Sequence, residues 1–401
     1  MTGPGTSVGV LAGRRLRVGA AVILSASEES YVAYDVRLDR LYRLNPTAAL
    51  IVELCDGTRS LGQLQTDLAP LVADDWQGCL DWIDTAVRDR LVIDEDDADA
   101  PPDPTSASPL DAGELSTQAD RLQRRDRVLA AYLCQQRAAD LAPDDPNMQL
   151  RLGELAHIVG RRDEARVAYQ HYLRHCPDDA EIAHLLTALS DATPPPRVSD
   201  RCIEQLYSRF AAFYDKNMTG ELDYCAPDRL RDAVVAALGD DQRLAVLDLG
   251  CGTGLSGALW RARAARLVGI DLSPEMIARA RTRGLYDRLE TAEITNWLAR
   301  ERSDRFDLVI ACDSLIYFGD LAQVVAPAAT CLRPGGLLGF TVERGDIDPF
   351  RLSDSGRFAH HRDHVSQVAG AAGLTLLSLD ETIVRYEYGE PVTALIAVCR
   401  I

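Results

Sequence analysis

Residues 246 to 254 read V-L-D-L-G-C-G-T-G, and the next apolar run, R-L-V-G-I-D, ends on Asp271. Val246 to Leu249 predict a buried parallel strand, and Gly250, Gly252 and Gly254 let the backbone turn tightly against a ligand before a helix starts. An acid about 20 residues beyond such a turn, closing the second strand, is placed to accept both hydroxyls of a ribose. A nicotinamide dinucleotide would suit that layout. Asp248, beside the turn, would repel its pyrophosphate and instead attract an ammonium group. The third glycine also comes one position too early for G-x-G-x-x-G. The motif therefore predicts S-adenosylmethionine (SAM) as cofactor, with S-adenosylhomocysteine (SAH) as product.

From about residue 200 strand and helix alternate. F-D-L-V-I-A-C-D (306 to 313) has the apolar run of a central strand and ends on an acid, and L-R-P-G-G (332 to 336) reads as a turn before L-L-G-F-T-V-E. Two closing apolar segments flank Y-G-E-P (388 to 391) as an antiparallel pair. This predicts a Rossmann-like α/β fold, a doubly wound sheet with a final antiparallel hairpin, binding its ligand at the strand ends. Gly250, Gly252 and Gly254 then approach the methionyl backbone, with Asp248 near its ammonium and Asp271 on the ribose. Leu272 and Met276 fall beside the adenine. Glu293, with Ile294, follows the third strand and suits the adenine amino group, though it equally reads as a helix-start acid. Asp313 and Ser314 end the fourth strand beside the place of the methyl group. Tyr207 and Tyr214 sit on an amphipathic leading helix, as a lid or as core.

Methyl transfer is an in-line displacement in which the protein supplies proximity, alignment and, for a protonated acceptor, a base. A carboxylate acceptor needs none. His360, His361 and His364 form the histidine cluster of this segment, so His360 and His361, with Asp313, are the catalytic candidates; a surface or structural role competes for each. Tyr317, Arg385 and Glu387 fall on the acceptor side, Arg385 and Glu387 equally as an ion pair across the last hairpin.

The order of these motifs resembles class I SAM-dependent methyltransferases. A closer resemblance is to bacterial methyltransferases fused to tetratricopeptide repeats, carried by Y-S-R-F-A-A-F-Y-D-K-N-M-T-G-E-L-D-Y-C-A-P (207 to 227), D-S-L-I-Y-F-G-D-L (313 to 321), S-G-R-F-A-H-H (355 to 361) and V-R-Y-E-Y-G-E-P-V (384 to 392). Phe213-Tyr214-Asp215 stands where that family has Phe-Asp, which bears on how the leading helix covers the cofactor.

Upstream, the acidic and then Pro/Ser-rich stretch from 94 to 109 has linker composition, as does T-P-P-P-R (193 to 197). These breaks predict four segments: 14–95, a linker at 96–115, helices over 116–192, and the catalytic segment 200–401. Pro143-Asp144-Asp145 recurs as Pro177-Asp178-Asp179, and Leu152-Gly153, Ala165, Tyr169 and Pro177 resemble a tetratricopeptide unit of that 34-residue period. Such a segment is either a helical spacer packed on a neighbour or a peptide groove. Residues 21–25, 31–36 and 40–44 predict a small meander, followed by helices from Pro46, Ser60 and Trp76, a compact winged-helix-like α+β unit. The run L-Y-R-L-N-P-T-A-A-L-I-V-E-L-C-D-G-T-R-S-L (41 to 61) resembles the PqqD-type peptide-recognition domain. That resemblance implies a precursor-peptide leader added as a strand to the third strand, Arg40, Leu41, Tyr42, Arg43 and Leu44, against a helix carrying Trp82, Asp84 and Arg88. The alternatives are a DNA-binding winged helix and a domain used for dimerisation.

A net charge of −18 argues against nucleic acid as partner. No apolar run approaches the ~18 residues of a membrane span, and the first residues lack a signal-peptide pattern. Ten scattered cysteines without C-x-x-C read as reduced thiols in a cytoplasmic protein, with no metal site. The whole then predicts a precursor-peptide methyltransferase. Its rivals are an enzyme acting on a small molecule or folded protein, and a scaffold that binds SAM without turnover. A homodimer stays open.

Overall fold

The computed structural model describes residues 13–26, 31–72, 75–95, 110–220, 222–238, 243–300 and 305–401, and divides into two compact units, Met1–His175 and Cys176–Ile401. The first unit opens with β1 (Arg15–Val18), β2 (Val22–Ala26), β3 (Tyr31–Asp35) and β4 (Arg40–Leu44). It continues through α1 (Pro46–Leu54), β5 (Asp56–Ser60), α2 (Leu61–Val72), α3 (Trp76–Arg88) and β6 (Val92–Asp94). The meander is β2-β3-β4, with β4 at one edge. Asn45 starts α1 by accepting a hydrogen bond from the Ala48 N–H at 2.8 Å, a cap whose loss costs about 1 kcal/mol. Leu44, Ile51, Leu64, Leu68 and Ile83 share one core with Leu16. A second sheet, β5-β1-β6, was not legible in the sequence. Its strands are three to five residues long, too short for a period to show.

Four helices complete this unit: α4 (Ala112–Gln123), α5 (Val128–Leu141), α6 (Pro146–Ile158) and α7 (Arg162–His175). A reciprocal cap between Asp111 and Glu114 starts α4 inside the stretch expected as linker; residues 96–109 of that linker lie outside the described residues. Tyr169 packs so closely on Gly153 that a Cβ there would meet its ring at 2.5 Å, which draws α6 and α7 together. At the start of α5, Arg127 pairs with Asp39 in the β3–β4 turn and lies 5.8 Å from the Tyr34 ring. These helices therefore pack on the small α+β portion.

The second unit begins with α8 (Ala180–Ala188), which the sequence had placed in the spacer, then α9 (Asp200–Phe210), α10 (Tyr214–Gly220) and α11 (Ala226–Ala237). There follow β7 (Leu244–Leu249), α12 (Leu255–Trp260), β8 (Ala264–Asp271), α13 (Pro274–Thr282), β9 (Arg288–Thr291), α14 (Ile294–Arg300) and β10 (Phe306–Ala311). The chain ends with α15 (Ala322–Thr330), β11 (Leu332–Arg344), β12 (Phe350–Leu352), β13 (Phe358–His360), α16 (Arg362–Ala371), β14 (Thr375–Glu387) and β15 (Glu390–Arg400). The main sheet runs β9-β8-β7-β10-β11-β15-β14. Its first five strands are parallel, and β15 is antiparallel to both neighbours. This is the doubly wound sheet with a final hairpin that the alternation predicts. All six residues of β7 are buried, as expected of a strand covered on both faces. The expected turn at L-R-P-G-G is instead part of β11. The pairing jumps from Phe306–Leu332 to Leu308–Leu337, so Arg333 to Gly336 are absorbed as an irregularity in the strand.

Candidate active site

The first apolar run to leave the sheet core does so at the carboxyl end of β7, where neighbouring connections diverge toward β8 and β10 and leave a crevice. A cavity partly open to solvent lies there. Its floor is the glycine turn. Gly250 has φ +71°, and a Cβ on it would stand 2.4 Å from the Ser314 Cβ. Gly252, at φ +54°, has no atom within 4 Å of where its Cβ would be, so the backbone lies bare to the cavity. Gly254 caps the next helix and lies outside the lining.

Asp271 closes β8 and borders the cavity. One of its oxygens accepts the Gly252 N–H at 2.8 Å and the other the Ser273 N–H at 2.9 Å, which joins the glycine turn to the second strand. Burial pushes its pKa upward and these backbone donors restrain the rise. Lone pairs remain on both oxygens for a pair of hydroxyls. Leu272, Met276, Glu293 and Ile294 continue the wall. Glu293 does what its second reading describes as well: its carboxylate takes the N–H groups of Thr295 and Asn296 at 3.0 and 2.8 Å and so caps α14.

Asp248 is fully buried but is not among the residues lining the cavity. Its Oδ2 accepts the Tyr286 hydroxyl at 2.7 Å, while Oδ1 is buried without a hydrogen-bond partner among the described residues. Burial, with Asp271 nearby, pushes its pKa up to about 7, against the pull of Tyr286. A buried carboxylate oxygen lacking a donor fits a site that receives an ammonium group beyond the turn. The bare turn at Gly252 and the two-oxygen acceptor at Asp271 fit the rest of SAM.

Over this floor lies an aromatic roof. Tyr207, Tyr214 and Tyr317 all border the cavity. The hydroxyls of Tyr207 and Tyr317 are 2.7 Å apart, and the Tyr207 and Tyr214 rings meet edge-on at 6.2 Å. Burial raises all three pKa values, that of Tyr317 to about 12. The expectation of one leading helix is corrected: the chain breaks at 211 to 213, so Tyr207 lies on α9 and Tyr214 opens α10. Asp215 then ties α10 to the turn by accepting the Thr253 hydroxyl and pairing with Arg283.

At the end of β10, Asp313 adopts φ +53° and Ser314 donates to the Leu249 carbonyl at 2.9 Å; both border the cavity. The Asp313 carboxylate is held by Arg385 at 2.9 Å. Arg385 is 2 % exposed at its side chain and also pairs with Glu343 and with Glu387, the latter at 2.7 Å. Burial works against its charge, but the three carboxylates outweigh it and raise its pKa. Arg357 pairs with Glu343 and Glu387. Arg385 and Glu387 are thus an ion pair behind Asp313, outside the cavity lining.

The histidines are corrected. His360, on β13, is fully buried; its Nε2 lies 2.8 Å from the Phe318 carbonyl and 3.1 Å from that of Gly319, and burial lowers its pKa to about 4. His361 caps α16, accepting the Asp363 N–H. His364 stacks on His360 at 6.0 Å. None of the three borders the cavity, so none is placed to take a proton from an acceptor there.

In the first unit one hydrogen bond joins the expected strand to the end of the expected helix. Arg40 to Leu44 form β4, and the Tyr42 hydroxyl donates to the Asp89 carbonyl at 3.1 Å just past α3, which carries Trp82, Asp84 and Arg88. Asp84 is exposed and pairs with Arg14. Sequence reasoning missed Arg197, Ile203, Cys312 and Phe318 around the cavity, and Tyr286 behind it on Asp248; Arg197 was hidden in a proline-rich stretch read as linker. Among the described residues no cluster of three or more metal-ligating side chains occurs, and no helix is long and apolar enough to cross a membrane.

Residues 246–336 match the family model described as a methyltransferase domain. The malonyl-[acyl-carrier protein] O-methyltransferase of Enterobacter lignolyticus is 30% identical over 172 residues, 43% of this chain and 65% of that protein. The methyltransferase GfsG of Streptomyces halstedii is 31% identical over 172 residues, 39% and 62% of the two chains. Trans-aconitate 2-methyltransferase of Escherichia coli is 37% identical over 129 residues, 31% and 50%. The chain thus spans less than two thirds of the length of these relatives. Among solved structures, a SAM-dependent methyltransferase from Mesorhizobium loti has 25% identity and a TM-score of 0.34, covering 42% of this chain and 96% of its own. Magnesium protoporphyrin IX methyltransferase from Synechocystis with bound SAH has 15% identity and a TM-score of 0.40, covering 50% and 98%. Residues 246–336 of the second unit thus carry a methyltransferase domain.

Proposed function

We propose that the chain methylates a ribosomally made precursor peptide whose leader docks on the first unit. The observation that carries the peptide reading is β4. It is an edge strand paired only with β3 among the described residues, with Leu41 38 % exposed and Tyr42 tied to the end of α3. An edge beside a helix offers backbone hydrogen bonds for affinity and side-chain pockets for register. Acids outnumber basic residues in 1–95, which disfavours the DNA-binding alternative. Holding the leader raises the effective concentration of the remaining peptide at the second unit, even where that part binds weakly.

In the cavity, SAM supplies a methyl group on a sulfonium, open to in-line attack. Gly250 and Gly252 clear the backbone for the methionyl end, Asp248 balances positive charge behind the turn, and Asp271 receives the ribose. Met276, Leu272 and Ile294 pack the adenine. Tyr207, Tyr214 and Tyr317 exclude water from the reacting end, and Asp313 borders the acceptor's approach.

Labelled short peptides encoded beside this gene, titrated against the full chain, test the reading. Saturable binding should weaken at least fivefold with Leu41→Asp, and SAH should form far faster from leader-bearing than leader-free peptide. Equal rates with and without a leader would overturn it. They would favour a small-molecule or carrier-bound acceptor, the reading that the relatives named for malonyl-[acyl-carrier protein] and trans-aconitate suggest. No SAH from any acceptor would leave a SAM-binding scaffold.

A further inference from the structure

Arg197 is the one cationic side chain among the described residues that line the cavity. Its position is built. Its backbone forms a bridge with Phe318, and the adjoining Val198 N–H donates to the Tyr317 carbonyl at 2.9 Å. Its Nη1 is used by Asp200 and by the Val198 carbonyl, while Nε and Nη2 make no hydrogen bond among the described residues. A half-buried guanidinium with two open donor nitrogens, on a wall it shares with Ile203, Tyr207, Tyr317 and Phe318, suits a planar oxyanion.

The proton acceptors of the same cavity are all engaged. Asp313 is held in an ion pair by Arg385, Glu293 caps α14, and Asp271 takes two backbone N–H groups. The Cys312 thiol is raised to about 12 by burial. An alcohol or an ammonium would have to lose a proton here, and an ion-paired carboxylate is a poor base.

We propose that the methyl acceptor is a carboxylate, held through Arg197, and that the product is a methyl ester. This rests on the methyl-transfer reading above. One carboxylate oxygen forms a bond to the methyl carbon as the carbon–sulfur bond breaks and sulfur keeps the electron pair. The sulfonium and the carboxylate both lose their charge, and no proton is released.

Two measurements on the full chain test it. With methyl-labelled SAM and the precursor peptides encoded beside the gene, label should be released as methanol in mild alkali, with no proton liberated per turnover. Peptides with amidated carboxyl groups should accept none. Alkali-stable label, or one proton per methyl, overturns the proposal. Separately, succinate titrated into the SAH-saturated chain should bind, and Arg197→Gln should weaken that binding at least tenfold while SAH affinity stays within twofold. Arg197→Lys should recover part of it. Absence of succinate binding, or equal binding in Arg197→Gln, overturns the assignment. If no peptide takes label but succinate behaves as expected, the peptide reading fails and the carboxylate assignment stands.

Discussion

Replacing Arg385 with methionine removes the cation at the centre of the buried cluster and keeps much of its length. Arg385 holds Asp313, Glu343 and Glu387 with its side chain 2 % exposed. Glu343 and Glu387 retain Arg357, but Asp313 loses its one ionic partner among the described residues. Leaving one member of a buried pair without its partner costs about 3–5 kcal/mol. In a unit of this size each kcal/mol lowers Tm by about 2–4 °C, so a drop of roughly 6–20 °C is expected at pH 7.5. The pH dependence carries a sign. Burial raises the Glu387 pKa, but Arg357 and Arg385 outweigh it and hold the group below its ordinary value. Its contribution is therefore present above the unfolded carboxylate pKa of about 4.3 and is lost as pH falls through the folded value. In Arg385→Met the stranded carboxylates bind protons more readily than in the parent, which relieves their cost. The Tm gap between parent and variant should narrow from pH 7.5 to 5.5, as followed by calorimetry. A drop under 2 °C, or a gap constant over that range, would refute the reasoning.

Tyr286→Phe removes the donor to Asp248, whose pKa then rises above its present value near 7. A hydrogen bond to a charged group is worth about 1.5–3 kcal/mol, so the ionised fraction of Asp248 at pH 7, and SAH binding with it, should fall by about sevenfold or more and recover toward the parent at pH 9; parallel calorimetric pH profiles would exclude the link. Gly250→Ala puts a Cβ 2.4 Å from that of Ser314 at φ +71° and should abolish measurable SAH binding. Adding Ser314→Gly clears the clash and leaves a backbone penalty of about 1–2 kcal/mol, so partial binding should return. If the double variant binds no better than the single one, the clash is not the cause. Asp215→Asn loosens α10 from Thr253 and Arg283 and should weaken SAH several-fold with little change in Tm; an unchanged affinity would remove α10 from the cofactor's cover.

The floor of the site was legible because its parts are local. Strand, glycine turn and strand-end acid follow one another at fixed offsets, and Glu293 and Asp313 occupy the equivalent ends of later strands. The meander and three helices of the first unit were legible for the same reason. What stayed hidden depends on long-range placement. Tyr286 meets Asp248 across 38 residues, and no periodicity marks it. The histidines misled because clustering in sequence is not convergence in space. His360 points inward from β13, whereas His361 is spent on the first turn of α16. Arg197 looked like part of a stiff linker until its backbone proved to lie beside Phe318.

The same contrast explains why the cofactor was readable and the acceptor was not. The cofactor floor comes from successive strand ends, whereas the wall around the acceptor is assembled from residues 197 to 207, 214 and 312 to 318. The ion-paired cluster behind it adds Glu343, Arg357, Arg385 and Glu387. Leu222 and Cys225 fasten the leading helices to β14, through the Tyr386 N–H to Leu222 and the Cys225 N–H to Val384, at 2.8 and 2.9 Å. The strand that fastens the roof is therefore the strand that carries Arg385 to Asp313. The placement of Asp313 and that of the roof share one element, and a change in β14 should move both together while leaving the glycine turn intact.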